Sequence, residues 1–271
     1  MGGYRLVAID LDDTLLDNQL QIRERVKAAI LRARRQGVVV TLATGRMFRS
    51  ALPYARQLGL DLPLITYQGA LVKNSESGEV LYSRPVPAEL AGSVLAAIRP
   101  NGYHLQVYYQ DQLCMERLTP EGEHYSRMAG VAVTLVPELE RFCPEPTKIL
   151  VINWREELLD QLAEQLRREL GERVHITKSK PYYLEVLHPE ATKGRALQVL
   201  AEHFGVPREE VMAIGDSFND IEMLEYAGLG VAMGNARPEV KSRADYVAPD
   251  NEADGVAAVL EELVLQDDRD G

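Results

Sequence analysis

Two aspartates stand two residues apart at Asp10 and Asp12, directly after the apolar run Leu6-Val7-Ala8-Ile9, with Thr14 two positions further on. A short apolar run that stops abruptly in acids reads as a buried parallel strand surfacing at its carboxyl end. Carboxylates crowded at such a tip repel one another and resist burial, so their proton affinities split unless a cation intervenes. Catalysis or cation binding accounts for the pattern. Taken alone, a turn cluster also accounts for it, with Asp12 or Asp13 as turn acids and Thr14 bonding backbone.

The situation recurs at Gly215-Asp216-Ser217-Phe218-Asn219-Asp220, after the apolar segment Val211 to Ile214. The glycine permits a sharp turn, and acid and amide oxygens then follow within a few positions. Such a set suits Mg²⁺, which takes a few carboxylates, a carbonyl and retained waters, whereas an EF-hand is excluded by the missing ligand ladder and closing Glu. An Asx-type loop is the alternative for this turn by itself. Thr44-Gly45, after Val38 to Leu42, offers a hydroxyl and an unobstructed N–H to a phosphate oxygen, or forms a plain turn. Lys193 follows Thr192 and opens a helix, placing an ammonium and a helix N-terminus before one anion; a lone lysine there is otherwise simply solvated.

These groups need a scaffold that brings distant segments to one edge. Ile22, Val26, Ala29, Ile30 and Ala33 recur at helical spacing before Gly37, so strand, helix and the strand Val38 to Leu42 form a βαβ opening to a parallel sheet, continued at Leu64-Ile65-Thr66. From about Arg84 the texture changes. Tyr103 to Tyr109 and Leu113 to Leu118 read as strands around a turn at Gln110 to Gln112, and Val131 to Val136 and Lys148 to Asn153 as further antiparallel strands. Glu156 to Leu170 reads as a helix with Leu158, Leu159, Leu162, Leu166 and Leu170 on one face, and Arg173 to Thr177 and Tyr182 to Leu187 as closing strands. After Pro189 the α/β texture returns: helix Lys193 to Phe204, strands Val211 to Ile214 and Gly230 to Met233, and a helix from Gly255 to Val264. The expected architecture is a Rossmann-like α/β core formed by residues 1–83 and 188–271, interrupted by an α+β insert over 84–187, with Pro85 and Pro189 near the crossings. The polar tail Gln266 to Gly271 is expected to fray.

Composition narrows the partners. The 271 residues carry 30 Lys+Arg against 41 Asp+Glu, a formal charge of −11 with no basic block, which argues against nonspecific nucleic-acid binding. No apolar run approaches the roughly 18 residues of a membrane span. Met1 to Arg5 lacks the features of a secretory signal, and residue 6 is not the Ser or Thr of a myristoylation site. Cys114 and Cys143 lack metal-site spacing and read as free thiols. The expectation is a cytoplasmic protein, monomer or homodimer, acting on a small molecule without nucleic-acid or membrane partners.

In order along nearly the whole chain, Asp10-Leu11-Asp12-Asp13-Thr14, Thr44-Gly45-Arg46, Lys193 and Gly215-Asp216-Ser217-Phe218-Asn219-Asp220 resemble the four motifs of the haloacid dehalogenase superfamily. The insert of roughly one hundred residues, and Tyr183-Leu184-Glu185-Val186 before Thr192-Lys193-Gly194, look like the type 2 (IIB) cap of its Cof-type phosphatases. One departure is Gln68-Gly69-Ala70, where that family commonly has Asn-Gly-Ala, which bears on a substrate or cap contact. The resemblance implies a phosphatase acting on small phosphorylated metabolites, a sugar phosphate or a cofactor or nucleotide monophosphate, through an aspartyl phosphate. Asp10 would be the nucleophile and Asp12 the general acid and base. Mg²⁺ would be held by Asp10, the Asp12 carbonyl and Asp216. Thr44, Lys193, Asn219 and the Leu11 and Gly45 amides would bind phosphate. Asp220 and Ser217 would support them, and Arg46 would reach substrate or cap, or form a surface ion pair. Tyr182, Tyr183, Glu185, Arg117 and His124 are candidate selective residues of the cap, though strand alternation turns about half of such residues to the wrong face.

Three other readings compete. A phosphomutase or phosphotransferase uses the same aspartyl phosphate when water is excluded. A non-catalytic phosphate sensor on the same fold is disfavoured by the intact acids and Lys193. A dinucleotide-dependent oxidoreductase lacks its G-x-G-x-x-G, since the first turn carries acids and Gly228, Gly230 and Gly234 are wrongly spaced.

Overall fold

The computed structural model describes residues 3–265, so the tail Gln266 to Gly271 and the Met1-Gly2 terminus lie outside the described residues. The strands in chain order are β1 (Leu6–Ile9), β2 (Val39–Leu42), β3 (Pro63–Thr66), β4 (Leu71–Asn74), β5 (Val80–Ser83), β6 (His104–Tyr109), β7 (Gln112–Met115), β8 (Val133–Leu135), β9 (Lys148–Ile152), β10 (His175–Lys180), β11 (Tyr183–Leu187), β12 (Val211–Gly215), β13 (Leu229–Ala232) and β14 (Tyr246–Val247). A parallel sheet of order β14-β13-β12-β1-β2 is built from both ends of the chain, and a six-stranded sheet of order β10-β11-β9-β6-β7-β8 from the middle. The fold is therefore a Rossmann-like α/β core with an inserted α+β unit.

All four residues of β1 are buried, as expected for a central parallel strand covered on both faces. Ile9 lies opposite Ile214 on one side and Leu42 on the other, so the chain leaves all three strands at one edge. Helix Glu24–Arg35 buries Val26, Ala29, Ile30 and Ala33 and packs on helix Gly255–Leu263. Helix Lys193–Phe204 starts where the Thr192 hydroxyl accepts the Arg195 N–H at 3.1 Å and stops at Gly205 in the left-handed region.

In the inserted unit, helix Glu156–Leu170 buries Leu159, Leu162, Ala163, Leu166 and Leu170 against the sheet, while Leu158 is half-buried. The two-residue turn between β6 and β7 places Gln110 and Asp111 at positive φ, the hairpin geometry that matches strand twist. β9 alternates: Ile149 and Val151 join the apolar layer under the helices, and Lys148, Leu150 and Ile152 occupy the opposite face. β11 does the same, with Leu184 and Val186 under the helices and Tyr183, Glu185 and Leu187 opposite.

Three features differ from the sequence expectation. β8 pairs parallel to β7, because helix Pro120–Ala129 carries the chain back across the sheet before β8 begins. β3 does not extend the parallel sheet by a full ladder: it touches the β2 end through one bridge, Ala43 to Ile65, and pairs antiparallel with β4, which pairs with β5. β4 and β5, and helices Phe48–Gln57 and Ala88–Ile98, are additions to the expected elements.

Candidate active site

Asp10 leaves β1 with its N–H still bonded to the Ile214 carbonyl at 2.9 Å, so its side chain starts from a fixed point of the sheet. Next, the chain makes a wide turn in which Leu15 and Leu16 bond back five residues, to Asp10 and Leu11, with Asp13 at φ 62°. Across the edge, Lys193 Nζ reaches Asp10 Oδ1 at 2.5 Å and Asp220 Oδ1 at 2.6 Å. The other Asp220 oxygen accepts the N–H groups of Asp216 and Ser217 at 3.0 and 2.9 Å, which shapes the turn after β12. Asp216 accepts hydroxyl hydrogen bonds from Thr14 at 2.8 Å and Ser217 at 2.9 Å.

One carboxylate oxygen from each of Asp10, Asp216 and Asp220 lies within 4.8 Å of the other two, all three residues buried. Three carboxylates against the one ammonium of Lys193 leave an excess of negative charge. Burial pushes the Asp10 carboxyl well above the usual range, with Asp220 and Asp216 adding to the rise and Lys193 opposing it. Burial and the Asp220 charge push Asp216 up to about 6. Burial disfavours the Lys193 charge, but Asp10 and Asp220 outweigh it and raise its affinity for the proton. A buried all-oxygen set with excess negative charge fits a hard divalent cation. Asp220 joins this cluster in space, although both its oxygens are already engaged.

Asp12 sits apart from it. Its carboxylate faces Arg46, which grips both oxygens, and Arg46 Nη1 also reaches the Tyr54 hydroxyl at 3.3 Å. Asp13 is paired with Lys180 from β10, and its carbonyl accepts from Asn235 at 2.7 Å.

A cavity of about 260 Å³ opens between the parallel sheet edge and the inserted sheet. Asp10, Asp12, Gly45, Arg46, Ser217 and Asn219 line it from one side, and Tyr125, Met128, Tyr182 and Tyr183 from the other. Leu11 and Thr44 are fully buried, and the Thr44 hydroxyl accepts the Arg46 N–H at 3.1 Å. Of the candidate cap residues, Tyr182, Tyr183 and Glu185 border the cavity; Arg117 and His124 are absent from its lining, and His124 stacks edge-on against Trp154 at 5.3 Å. Lys148, Ser179, Lys180 and Tyr125 also border it, residues with no motif to mark them. The alternation of Lys148-Ile149-Leu150-Val151-Ile152 was the available signal for Lys148, since a lysine in a fully buried strand must face a partner.

A family model described as haloacid dehalogenase-like hydrolase matches residues 7–260. An HMP-PP phosphatase of Serratia proteamaculans is 36% identical over 88% of this chain and 87% of its own. Phosphatase YwpJ of Bacillus subtilis is 31% identical over 96% of this chain and all of its own, 100%. The crystal structure of a haloacid dehalogenase-like hydrolase from Bacteroides thetaiotaomicron, 31% identical, superposes with a TM-score of 0.86 over 95% of this chain and 98% of that one. With its four motif segments gathered at one sheet edge and matches of this extent, the chain belongs to the haloacid dehalogenase-like hydrolases.

Proposed function

We propose that the protein is a Mg²⁺-dependent phosphatase that hydrolyses small phosphorylated metabolites, a sugar phosphate or a cofactor or nucleotide monophosphate, through an aspartyl phosphate on Asp10. The chain is a phosphoric monoester hydrolase by class. The observation that carries the mechanism is the buried Asp10, held at 2.5 Å by Lys193 beside Asp216 and bordering the cavity between the two sheets. Support for a small phosphorylated substrate comes from the cavity's size and from relatives named HMP-PP phosphatase and pyridoxal phosphate phosphatase.

In this reading an Asp10 oxygen attacks phosphorus, an O–P bond forms, and the ester P–O bond breaks as Asp12 gives its proton to the departing oxygen. Water then attacks phosphorus, Asp12 takes its proton, and the Asp10 O–P bond breaks to release inorganic phosphate. Lys193 keeps Asp10 oriented in both steps, and Lys193, Asn219, Thr44 and the Leu11 and Gly45 amides hold the phosphate oxygens. Asp10, Asp216 and the Asp12 carbonyl would hold the cation, whose charge offsets that of the carboxylates and the phosphate. Asp220 fixes Lys193 and the Asp216 turn, and Ser217 fixes Asp216. Arg46 must give up an Asp12 oxygen before the leaving group can reach it.

Residues 84–187 act as a cap on a core of 3–83 and 188–265 among the described residues, closing over the site to exclude bulk water. No helix among the described residues is long and apolar enough to cross a membrane, and the buried free thiols of Cys114 and Cys143 suit a reducing, cytoplasmic compartment. The test is phosphate release from sugar phosphates, nucleotides, cofactor phosphates and p-nitrophenyl phosphate, with and without Mg²⁺, beside Asp10→Asn. Mg²⁺-dependent release that the variant lacks is expected; turnover by the variant would overturn the nucleophile assignment.

A further inference from the structure

A buried polar chain crosses from the inserted sheet to the loop after β12. Glu185 Oε2 accepts from Gln68 Nε2 at 2.7 Å, and Gln68 Oε1 accepts from Asn219 Nδ2 at 2.8 Å. Glu185 Oε1 accepts from Ser179 Oγ at 2.7 Å and Lys148 Nζ at 3.2 Å, and Lys148 also donates to the Gly45 carbonyl at 2.7 Å. Gln68, Lys148 and Glu185 are each at most 2% exposed. Gln68 holds a left-handed φ of 59°, and a Cβ at residue 45 would collide with its amide, so glycine there is what admits the chain.

The direction of this chain is set at one end. An ionised carboxylate only accepts, so Gln68 must turn its NH₂ toward Glu185 and its carbonyl toward Asn219. Asn219 then has to offer its own NH₂. One N–H is spent on Gln68, the second is left to bond another acceptor, and Asn219 lines the cavity. Asn219 Oδ1, buried without a partner among the described residues, is the end turned out of the chain. With the polarity reversed, Asn219 would present a carbonyl oxygen to the phosphate and repel it.

We propose that Glu185 is a positioning residue for phosphate binding: from the inserted sheet it orients Asn219 through Gln68 and seats Lys148 on the Gly45 carbonyl. The phosphate subsite is thus complete only while the inserted sheet is docked, which couples binding of the phosphoryl group to closure. This rests on the phosphatase reading above.

The experiment measures binding of inorganic phosphate with Mg²⁺ by calorimetry, and competitive inhibition by phosphate, for wild type, Glu185→Gln, Gln68→Glu and the double exchange. Glu185→Gln removes the charge that sets the polarity, and Gln68→Glu places two carboxylates against each other. Each single variant is expected to weaken phosphate binding about tenfold, the loss of one hydrogen bond to a charged group, and to raise KM more than it lowers kcat. In the double exchange the carboxylate moved to position 68 accepts both from the amide now at position 185 and from Asn219, so binding is expected to return to near the wild-type value. Should a single variant fail to fold, Gln68→Ala, which leaves Glu185 with Lys148 and Ser179, carries the same expected loss. Phosphate binding unchanged in the folded single variants, or losses that multiply in the double exchange, would overturn the proposal while wild-type activity stands. Absence of Mg²⁺-dependent activity in the wild type would instead overturn the phosphatase reading.

Discussion

Arg46 holds both carboxylate oxygens of Asp12, with Nη2 at 2.6 Å from Oδ1 and Nε at 2.9 Å from Oδ2. A bidentate pair of this kind is strong and directional, so it holds Asp12, the proposed acid and base, on Arg46 and outside the Asp10–Asp216–Asp220 cluster. Asp12→Asn is expected to lower kcat by about 10²–10⁴-fold, the usual worth of a positioned proton donor. Arg46→Ala frees Asp12 and is expected to cost less. Steady-state kcat for the two variants checks this, and an Arg46→Ala enzyme as inactive as Asp12→Asn would show that Asp12 works only while Arg46 holds it, against this expectation.

Chelation and the Asp10→Asn variant separate the two roles proposed for the carboxylates. Turnover is expected to vanish in EDTA and return with added Mg²⁺, while Asp10→Asn stays inactive at any Mg²⁺ concentration. Acid-quenched enzyme incubated with a labelled phosphoryl donor is expected to retain label in the wild type and none in Asp10→Asn.

Lys193 is the ammonium among three buried carboxylates, with ion pairs to Asp10 and Asp220. Lys193→Met keeps much of the volume and removes the charge. Leaving buried carboxylates unpaired is expected to destabilise the metal-free protein by about 3–5 kcal/mol. Thermal unfolding in EDTA reads the loss, and added Mg²⁺ is expected to restore part of it. A melting temperature equal to wild type in EDTA would show that the cluster carries its protons instead.

His104 is buried, with Nε2 at 2.8 Å from Gln106 Oε1 and Nδ1 at 2.7 Å from Thr119 Oγ1. Burial lowers its proton affinity, with the Gln106 contact opposing. The unfolded chain therefore binds the proton first as pH falls below about 6.5, and folding stability falls with it through the lowered folded-state value. His104→Gln is expected to flatten the slope of stability against pH below about 6.5, measured by denaturant unfolding at several pH values. An unchanged slope would assign the acid loss to other groups.

Much of this molecule is legible from local chemistry. Leu6 to Ile9 is apolar at every position and ends in acids, Val211 to Ile214 ends in a glycine turn, and Thr192 caps the helix that Lys193 opens. Each signal is contained within a few residues, because strand ends, caps and turns depend on the chain immediately around them. The helix Glu156–Leu170 is read to the residue for the same reason, its leucines repeating at one period.

Other features depended on which distant surfaces meet. The parallel course of β8, the grip of Arg46 on Asp12 and the chain from Glu185 to Asn219 follow from crossovers and docking between segments more than one hundred residues apart in the last case. Lys148 and Glu185 carry no motif that names their partners; alternation assigns each to a face of its strand, and only the packing of that face over Gly45 and Gln68 decides what a buried lysine and glutamate bond to. Periodicity determines which way a side chain points along its own element, and tertiary docking determines what it meets there.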